Sequence, residues 1–510
     1  MFVLQGAIDY HRFLKKDLFI AFIDAEKCFD KLWLDDVCSE IYKIGFKPEE
    51  VEFLRNLNTN ITATIETPFG ETDPIKIDSA VRQGTVWGPT MCAVVTDKIN
   101  SINSRTYTMV GPDLEIETLV FVDDILAMGT ADNMERTEQN LIMLEQTKKF
   151  TFSVDKSELI HMKFTKEKKK EESTTITVKK GQIKRVSESK YLGEYFNDRG
   201  DNKTRIQKKM NKVAHAIAVA KACGSESKVG KEAMKVRLQI LETVTYVSYG
   251  METWTNLSKK DKEEIEKIHK ELITSLFELA KSTPYWGIIA ESAIWPILQT
   301  IDYQKFMLLH NMLNSEDTKV SKKVLLSQAR NQYPNCWYSE ILQAADEYQL
   351  DISTIRLQNI RKSDWKKEVK EKVTKWIRKR LEEKKRQMTK LRFINTSFVQ
   401  ESYITNTTAD MCRSIMRVRL NMVKLKSNYK GLGKDILCPP CKAEEESTEH
   451  VFNCTAYRRA LGSKVPVDIT RENRISKLKE AAVFANELEQ YKDKMGIGIF
   501  IERKNICIYI

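Results

Sequence analysis

Leu119-Val120-Phe121-Val122-Asp123-Asp124-Ile125-Leu126-Ala127-Met128 decides how this chain is read. One apolar run leads in, two adjacent carboxylates follow, and a second apolar run leads out. Short apolar runs flanking a polar pair predict a strand–turn–strand over Thr118 to Met128, with both acids at the hairpin tip. Two neighbouring charges against apolar strands are costly unless cations compensate them. Hard carboxylate oxygens suit Mg²⁺. The other acidic pair, Asp35-Asp36, stands on a polar-faced helical stretch and reads as ordinary helix-start acid. The apolar setting is what separates Asp123-Asp124 from it.

Upstream, Asp24 closes the apolar run Leu18 to Ile23, a strand candidate. If that strand pairs beside the hairpin, three carboxylates converge at one sheet edge. Two-metal phosphoryl transfer needs such an edge: one metal activates the attacking oxygen and the other holds the leaving phosphate. Between the two acidic segments lies Val81-Arg82-Gln83-Gly84-Thr85-Val86-Trp87-Gly88-Pro89, leading into a predicted helix over Thr90 to Ile102. Glycines before a helix let backbone approach a ligand, and the helix N-terminus favours anions. Helices are also predicted over Trp33 to Ile44 and Met134 to Phe150, and strands over Thr62 to Thr67 and Ile75 to Val81. This alternation over 1–162 predicts an α/β or α+β domain.

Past the charged stretch Lys166 to Glu172 come short strands around Ile176 and Ile183, then an almost wholly helical pattern beyond residue 200. Gly224 to Gly230 and Asn314 to Lys323 read as linkers. Residues 361–392 predict a long basic helix containing Trp365, Trp376 and Ile377. The chain has 510 residues, 42% hydrophobic and 30% charged, with a net charge of +12. That length supports several domains, and the positive excess suits a nucleic-acid partner. Seven of the ten cysteines are scattered and read as reduced core residues, so a cytosolic or nuclear location is expected. No apolar run approaches the roughly 18–20 residues of a membrane span.

The remaining cysteines form a cluster. Cys438, Cys441, His450 and Cys454 follow a C-x2-C-x8-H-x3-C spacing, which fits a closed, structural Cys3His zinc site. So small and polar a segment needs the metal to fold.

Taken in order, the first three segments resemble motifs A, B and C of the reverse transcriptase palm. The family's Phe-x-Asp-x-x-x-Ala-Phe-Asp is matched by Phe22 to Asp30, with Cys28 in place of alanine. Gln-Gly-Thr/Ser-x-x-Gly-Pro is matched by Gln83 to Pro89, with Trp87 where leucine is usual. Phe/Tyr-x-Asp-Asp is matched by Phe121 to Asp124, with Val122 where alanine is common. The resemblance implies that Asp24 and Asp123 bind two Mg²⁺ ions, with Asp124 as a supporting acid. It implies that Phe29 is a steric gate favouring dNTPs, that Gln83 and Gly84 line the nucleotide site, and that Lys156 donates a proton to pyrophosphate.

Lys190-Tyr191-Leu192-Gly193 with Asn197-Asp198-Arg199-Gly200, and Tyr246 to Trp254, resemble segments of non-LTR, LINE-type enzymes. The latter reads as a helix packed in the core. The Cys–His cluster, Zn²⁺ included, has its counterpart in the same proteins. The resemblance implies the α+β class, with a palm of antiparallel sheet and packed helices over 1–164. The end of the palm and start of the thumb follow over 165–225, a helical thumb and C-terminal region over 226–435, the zinc unit over 436–460 and a tail over 461–510. RNA template, DNA primer or target, and dNTPs are the implied partners. Only 23 residues precede Asp24, too few for complete fingers, so a truncated front is expected. An inactive remnant that only binds nucleic acid, and an RNA-dependent RNA polymerase, stay open as alternatives, as does the oligomeric state.

Overall fold

Leu18-Phe19-Ile20-Ala21-Phe22-Ile23 is apolar at every position, and such a strand must be covered on both faces. In the computed structural model, Leu18–Asp24 is the middle of a five-stranded sheet. The order is Lys184–Arg185, Glu158–Met162, Leu18–Asp24, Asp124–Gly129, Leu119–Phe121. All contacts within it are antiparallel except the edge pairing of Glu158–Met162 with Lys184–Arg185. The structure describes residues 1–26, 34–77, 86–94, 107–122, 124–147, 151–165, 174–225, 248–428, 436–461 and 475–495. Phe29, Gln83, Gly84 and Asp123 lie outside them.

Alternation sends Phe19, Ala21 and Ile23 to one face. There they join Val37, Ile41 and Leu54 of two helices, Leu34–Lys43 and Pro48–Leu57, and Met134, Leu141 and Leu144 of Ala131–Thr147. On the other face Phe22 meets Tyr191 and Phe196, with ring centroids 5.6 and 6.4 Å apart. Those two rings come from the hairpin Glu188–Tyr191/Glu194–Asn197. Asp35 and Asp36 start the Leu34–Lys43 helix, as expected, and Asp35 pairs with Arg55.

The first compact unit comprises Met1–Arg205, Thr253–Leu257 and Asn311–Gln343. It continues past residue 164, since the edge strand Lys184–Arg185 belongs to the sheet. It also takes in Trp254, whose buried indole N–H donates to Glu194 at 3.1 Å. Trp254 is thus a core residue, as expected, but residues 251–253 form a 3-10 turn, not an α-helix. The expected linker at 314–323 is shorter than predicted, since a helix, Val320–Asn331, begins inside it. An N-terminal helix, Phe2–Leu14, packs on Thr108–Gly111 and Val320–Asn331. Its Asp9 is wholly buried and accepts hydrogen bonds from Gln5 (2.9 Å), Arg12 (3.0 Å) and Thr255 (2.8 Å).

The second unit holds Ile206–Glu252, Ser258–His310 and Ala344–Ile510, and its described part is mainly helical. The basic helix, Lys362–Gln387, buries Trp365, Val369, Val373, Ile377 and Leu381 at four-residue spacing. Lys366, Lys367, Lys370, Lys375, Arg378 and Lys379 stay exposed along it. Arg419 is buried between Glu291 (2.6 Å) and Glu401 (3.1 Å), and the Tyr403 hydroxyl also donates to Glu291 (2.7 Å). The segment expected as a tail contains a helix, Ile475–Lys494, packed on Ala409–Arg419.

Burial raises the Asp9 pKa from 3.8 to about 6 against the opposing pull of Arg12. The native state therefore holds the proton more tightly than the unfolded chain does. This contribution to stability is complete below about pH 4 and is lost as pH rises through 6. Relative to Asp9→Asn, the protein should lose about 3 kcal/mol of unfolding free energy between pH 4 and 7. Urea unfolding across that range checks it.

Candidate functional site

The sheet brings the sequence-predicted acids together by register. Asp24 is the last residue of its strand, Asp124 the first of the next, and the two are direct cross-strand partners. Directly opposed side chains have Cβ atoms about 4.5–5.5 Å apart, and like charges so placed repel. The preceding hairpin pairs Leu119 with Leu126, Val120 with Ile125 and Phe121 with Asp124. Val122 then leaves the strand at φ 59°. Tight hairpins need positive φ there, but a β-branched residue pays about 1–3 kcal/mol in backbone strain. The flanking strand pairs hold the turn against that strain.

Three groups around the acids were not singled out by the sequence for this purpose. The Ser157 hydroxyl accepts the Asp24 N–H at 3.0 Å, and the Asp24 carbonyl accepts the Ser153 N–H at 3.0 Å. These bonds fix the strand end that carries the carboxylate. Burial, with the nearby Asp124 carboxylate adding to it, pushes the Tyr191 phenol well above the usual tyrosine range. Lys156, a sequence candidate, sits with Nζ 3.8 Å from Asp24 Oδ2, and its own side chain is 71% exposed. An exposed ion pair of this length adds little stabilisation. The residues therefore fit hard divalent cations: anionic oxygen donors from adjacent strands, at an edge that solvent reaches.

The cysteine–histidine candidates also converge. Ligand atoms of Cys438, Cys441, His450 and Cys454 all lie within 4.8 Å of one another. Cys438 and Cys454 Sγ are 3.8 Å apart, and Cys441 Sγ is 3.3 Å from His450 Nε2. A tetrahedron with metal–sulfur bonds near 2.3 Å has S–S edges of about 3.8 Å. Cys438 and Cys441 flank a turn closed by Lys442 N–H on the Cys438 carbonyl (2.8 Å). His450 rides on a short helix, Thr448–Asn453, capped by the Ser447 hydroxyl, and Cys454 directly follows it. The Ala443 N–H pulls the Cys441 thiol down to about 6, whereas burial pushes Cys438 up. Glu444 meets His450 Nδ1 at 3.0 Å and so orients the ring with Nε2 toward the sulfurs.

A buried ion pair braces this unit. Glu446 binds Lys492 Nζ at 2.9 Å with both side chains almost fully enclosed, and it accepts the Tyr457 hydroxyl (2.5 Å) and the Lys426 N–H (2.8 Å). Sequence spacing gave no hint of this pair, because its two residues lie far apart in the chain.

Residues 3–196 match the family model described as reverse transcriptase (RNA-dependent DNA polymerase). Over that span the chain is similar to reverse transcriptase domains. A solved structure of telomerase from Candida tropicalis, in complex with the TWJ fragment of telomeric RNA, is similar at 12% identity and a TM-score of 0.29. The match covers 63% of this chain and 51% of that one, so it spans about half the length of the telomerase chain. Likeness of that degree is not evidence of a shared overall fold. No curated protein matches the chain.

Cobalt(II) titration should give the intense visible bands of a tetrahedral thiolate site at one equivalent. Glu444→Gln should weaken that binding about 10- to 100-fold. Unchanged affinity would show that Glu444 does not orient His450.

Proposed function

We propose that this chain is an RNA-directed DNA polymerase of a non-LTR retrotransposon, adding dNTPs to a primer 3′-hydroxyl on an RNA template. The observation that carries the reading is the cross-strand pairing of Asp24 with Asp124 at the open end of the sheet. The reverse transcriptase match over residues 3–196 supports it. Two Mg²⁺ held by Asp24, Asp123 and Asp124 would activate the attacking 3′-hydroxyl and neutralise the leaving pyrophosphate.

The chain's own residues do the rest. Ser157 and Ser153 hold the Asp24 strand end in place. Lys156, at the rim of the acids, is proposed to protonate the departing pyrophosphate. Phe29 is proposed to exclude a ribose 2′-hydroxyl, and Gln83 and Gly84 to line the base and sugar. The Cys438–Cys441–His450–Cys454 cluster is proposed to hold a structural Zn²⁺. The exposed lysines of Lys362–Gln387 are proposed to meet template or target backbone. Work on nucleic acid implies a nuclear or cytoplasmic location. Among the described residues no helix is long and apolar enough to cross a membrane.

Primer extension on an RNA template, with the full chain, Mg²⁺ and dNTPs, tests the reading. Extension should occur and fall at least about 10³-fold in Asp24→Ala and in Asp124→Ala, as expected when groups that stabilise transition-state charge are removed. Extension that survives both substitutions would overturn the site assignment. RNA binding without extension would leave a binding remnant, and equal use of rNTPs would point to an RNA polymerase.

A further inference from the structure

At the end of the sheet remote from the paired acids, the polar groups have a different character. Five residues of strand, about 17 Å, separate Asp24 from Phe19. Phe19 pairs with His161, and the two rings stack with centroids 4.1 Å apart and planes at 11°. Beside them opens a cavity of about 520 Å³ lined by His161, Lys163, Arg185, Ser187, Asp198 and Arg199, among others. Two guanidinium groups, Arg185 and Arg199, line it beside one carboxylate, Asp198.

The other nearby acid does not relieve this excess. Asp17 turns inward, where Oδ1 accepts the N–H groups of Phe164 (3.0 Å) and Thr165 (3.1 Å) and Oδ2 meets His161 Nε2 (3.1 Å). The Arg185 guanidinium donates to His161 Nδ1. Arginine is a donor only, so Nδ1 accepts, Nε2 carries the proton, and the ring in this arrangement is neutral. Arg199 has no ion-pair or hydrogen-bond partner among the described residues.

The rim is fixed in place. The Asn197 amide donates to Asp201 (2.8 Å) and Thr204 (3.1 Å), the Gly200 N–H donates to the Asn197 carbonyl (3.1 Å), and Arg12 donates to the Gly200 carbonyl. Gly200 sits at φ 64°, and a Cβ there would come within 3.0 Å of both Arg12 and Phe164. Two arginines with no acid partner among the described residues, set on a fixed frame, form a site for an anion. At a cleft of this size they suit phosphate oxygens, to which guanidinium forks bind in bidentate fashion.

We propose that the cavity bounded by His161, Lys163, Arg185 and Arg199 is a phosphate-binding site, distinct from the carboxylate edge. The phosphate belongs either to a nucleic-acid backbone or to a free phosphate or pyrophosphate ion. The site stands independently of the polymerase reading, and its test uses no extension assay.

The full chain is compared with Arg185→Gln/Arg199→Gln, with Arg199→Gln alone, and with a control removing two exposed charges elsewhere, Lys281→Gln/Lys323→Gln. The probes are a labelled single-stranded RNA, followed by anisotropy, and inorganic pyrophosphate, followed by calorimetry. If a strand occupies the site, the double variant loses about tenfold in RNA affinity and its log K against log salt slope flattens by about 1.4, while the control changes less than about twofold. If a free ion occupies it, the wild type binds pyrophosphate and the double variant does not. Arg199→Gln should show part of either loss, and with no partner to forfeit it keeps its fold. Binding of both probes equal to wild type in the arginine variants, or an equal loss in the control, overturns the proposal.

Discussion

Two carboxylates held face to face across a pair of strands are the constraint around which the first unit is arranged. Asp24 and Asp124 are put in register by apolar pairing behind them, from Phe19 with Gly129 to Ile23 with Ile125. Burial of that strand on both faces leaves no freedom to slip, since a one-residue shift would turn every apolar side chain to the wrong face. The acids therefore stay opposed although they repel. The tight turn after Phe121 adds strain at Val122 for the same placement. Stability is given up locally to hold anionic oxygens face to face at the strand ends.

In the second unit, buried charge is matched by close partners. Glu291 and Glu401 surround Arg419, and Glu446 is matched by Lys492. Removing one partner of such a set strands the other in a low-dielectric interior, at a cost of about 3–5 kcal/mol. Lys492 lies on the C-terminal helix Ile475–Lys494, so the cysteine–histidine unit leans on a helix contributed from beyond it in the chain. A segment with so few apolar side chains is held by this brace, and the proposed metal would add to its stability.

Much of the site was legible in the sequence because it is local. The apolar run before Asp24 and the runs around Asp123-Asp124 each predict a strand, and the C-x2-C-x8-H-x3-C spacing predicts the ligand cluster. Asp35-Asp36 was rightly set aside as helix-start acid. What stayed hidden depends on distant pairing. Ser157 reaches Asp24, Tyr191 comes close to Asp124, and Trp254 finds Glu194 only once the strands have assembled. A short strand expected around Ile183 is present as Lys184–Arg185, but that it closes the sheet edge depends on such pairing. Burial at steps of four in Lys362–Gln387 was partly visible through Trp365 and Ile377, while the helix at Ile475–Lys494 was masked by its many charged positions.

On the reading proposed above, the opposed acids are bridged by divalent cations. Thermal unfolding of the wild type and of Asp124→Asn, each with and without Mg²⁺, tests it most directly. Without Mg²⁺ the variant should melt higher, since one of two repelling charges is gone. Adding Mg²⁺ should raise the wild-type midpoint and leave the variant almost unmoved. A variant that melts lower without the ion, or that gains as much from Mg²⁺ as the wild type does, would contradict the account.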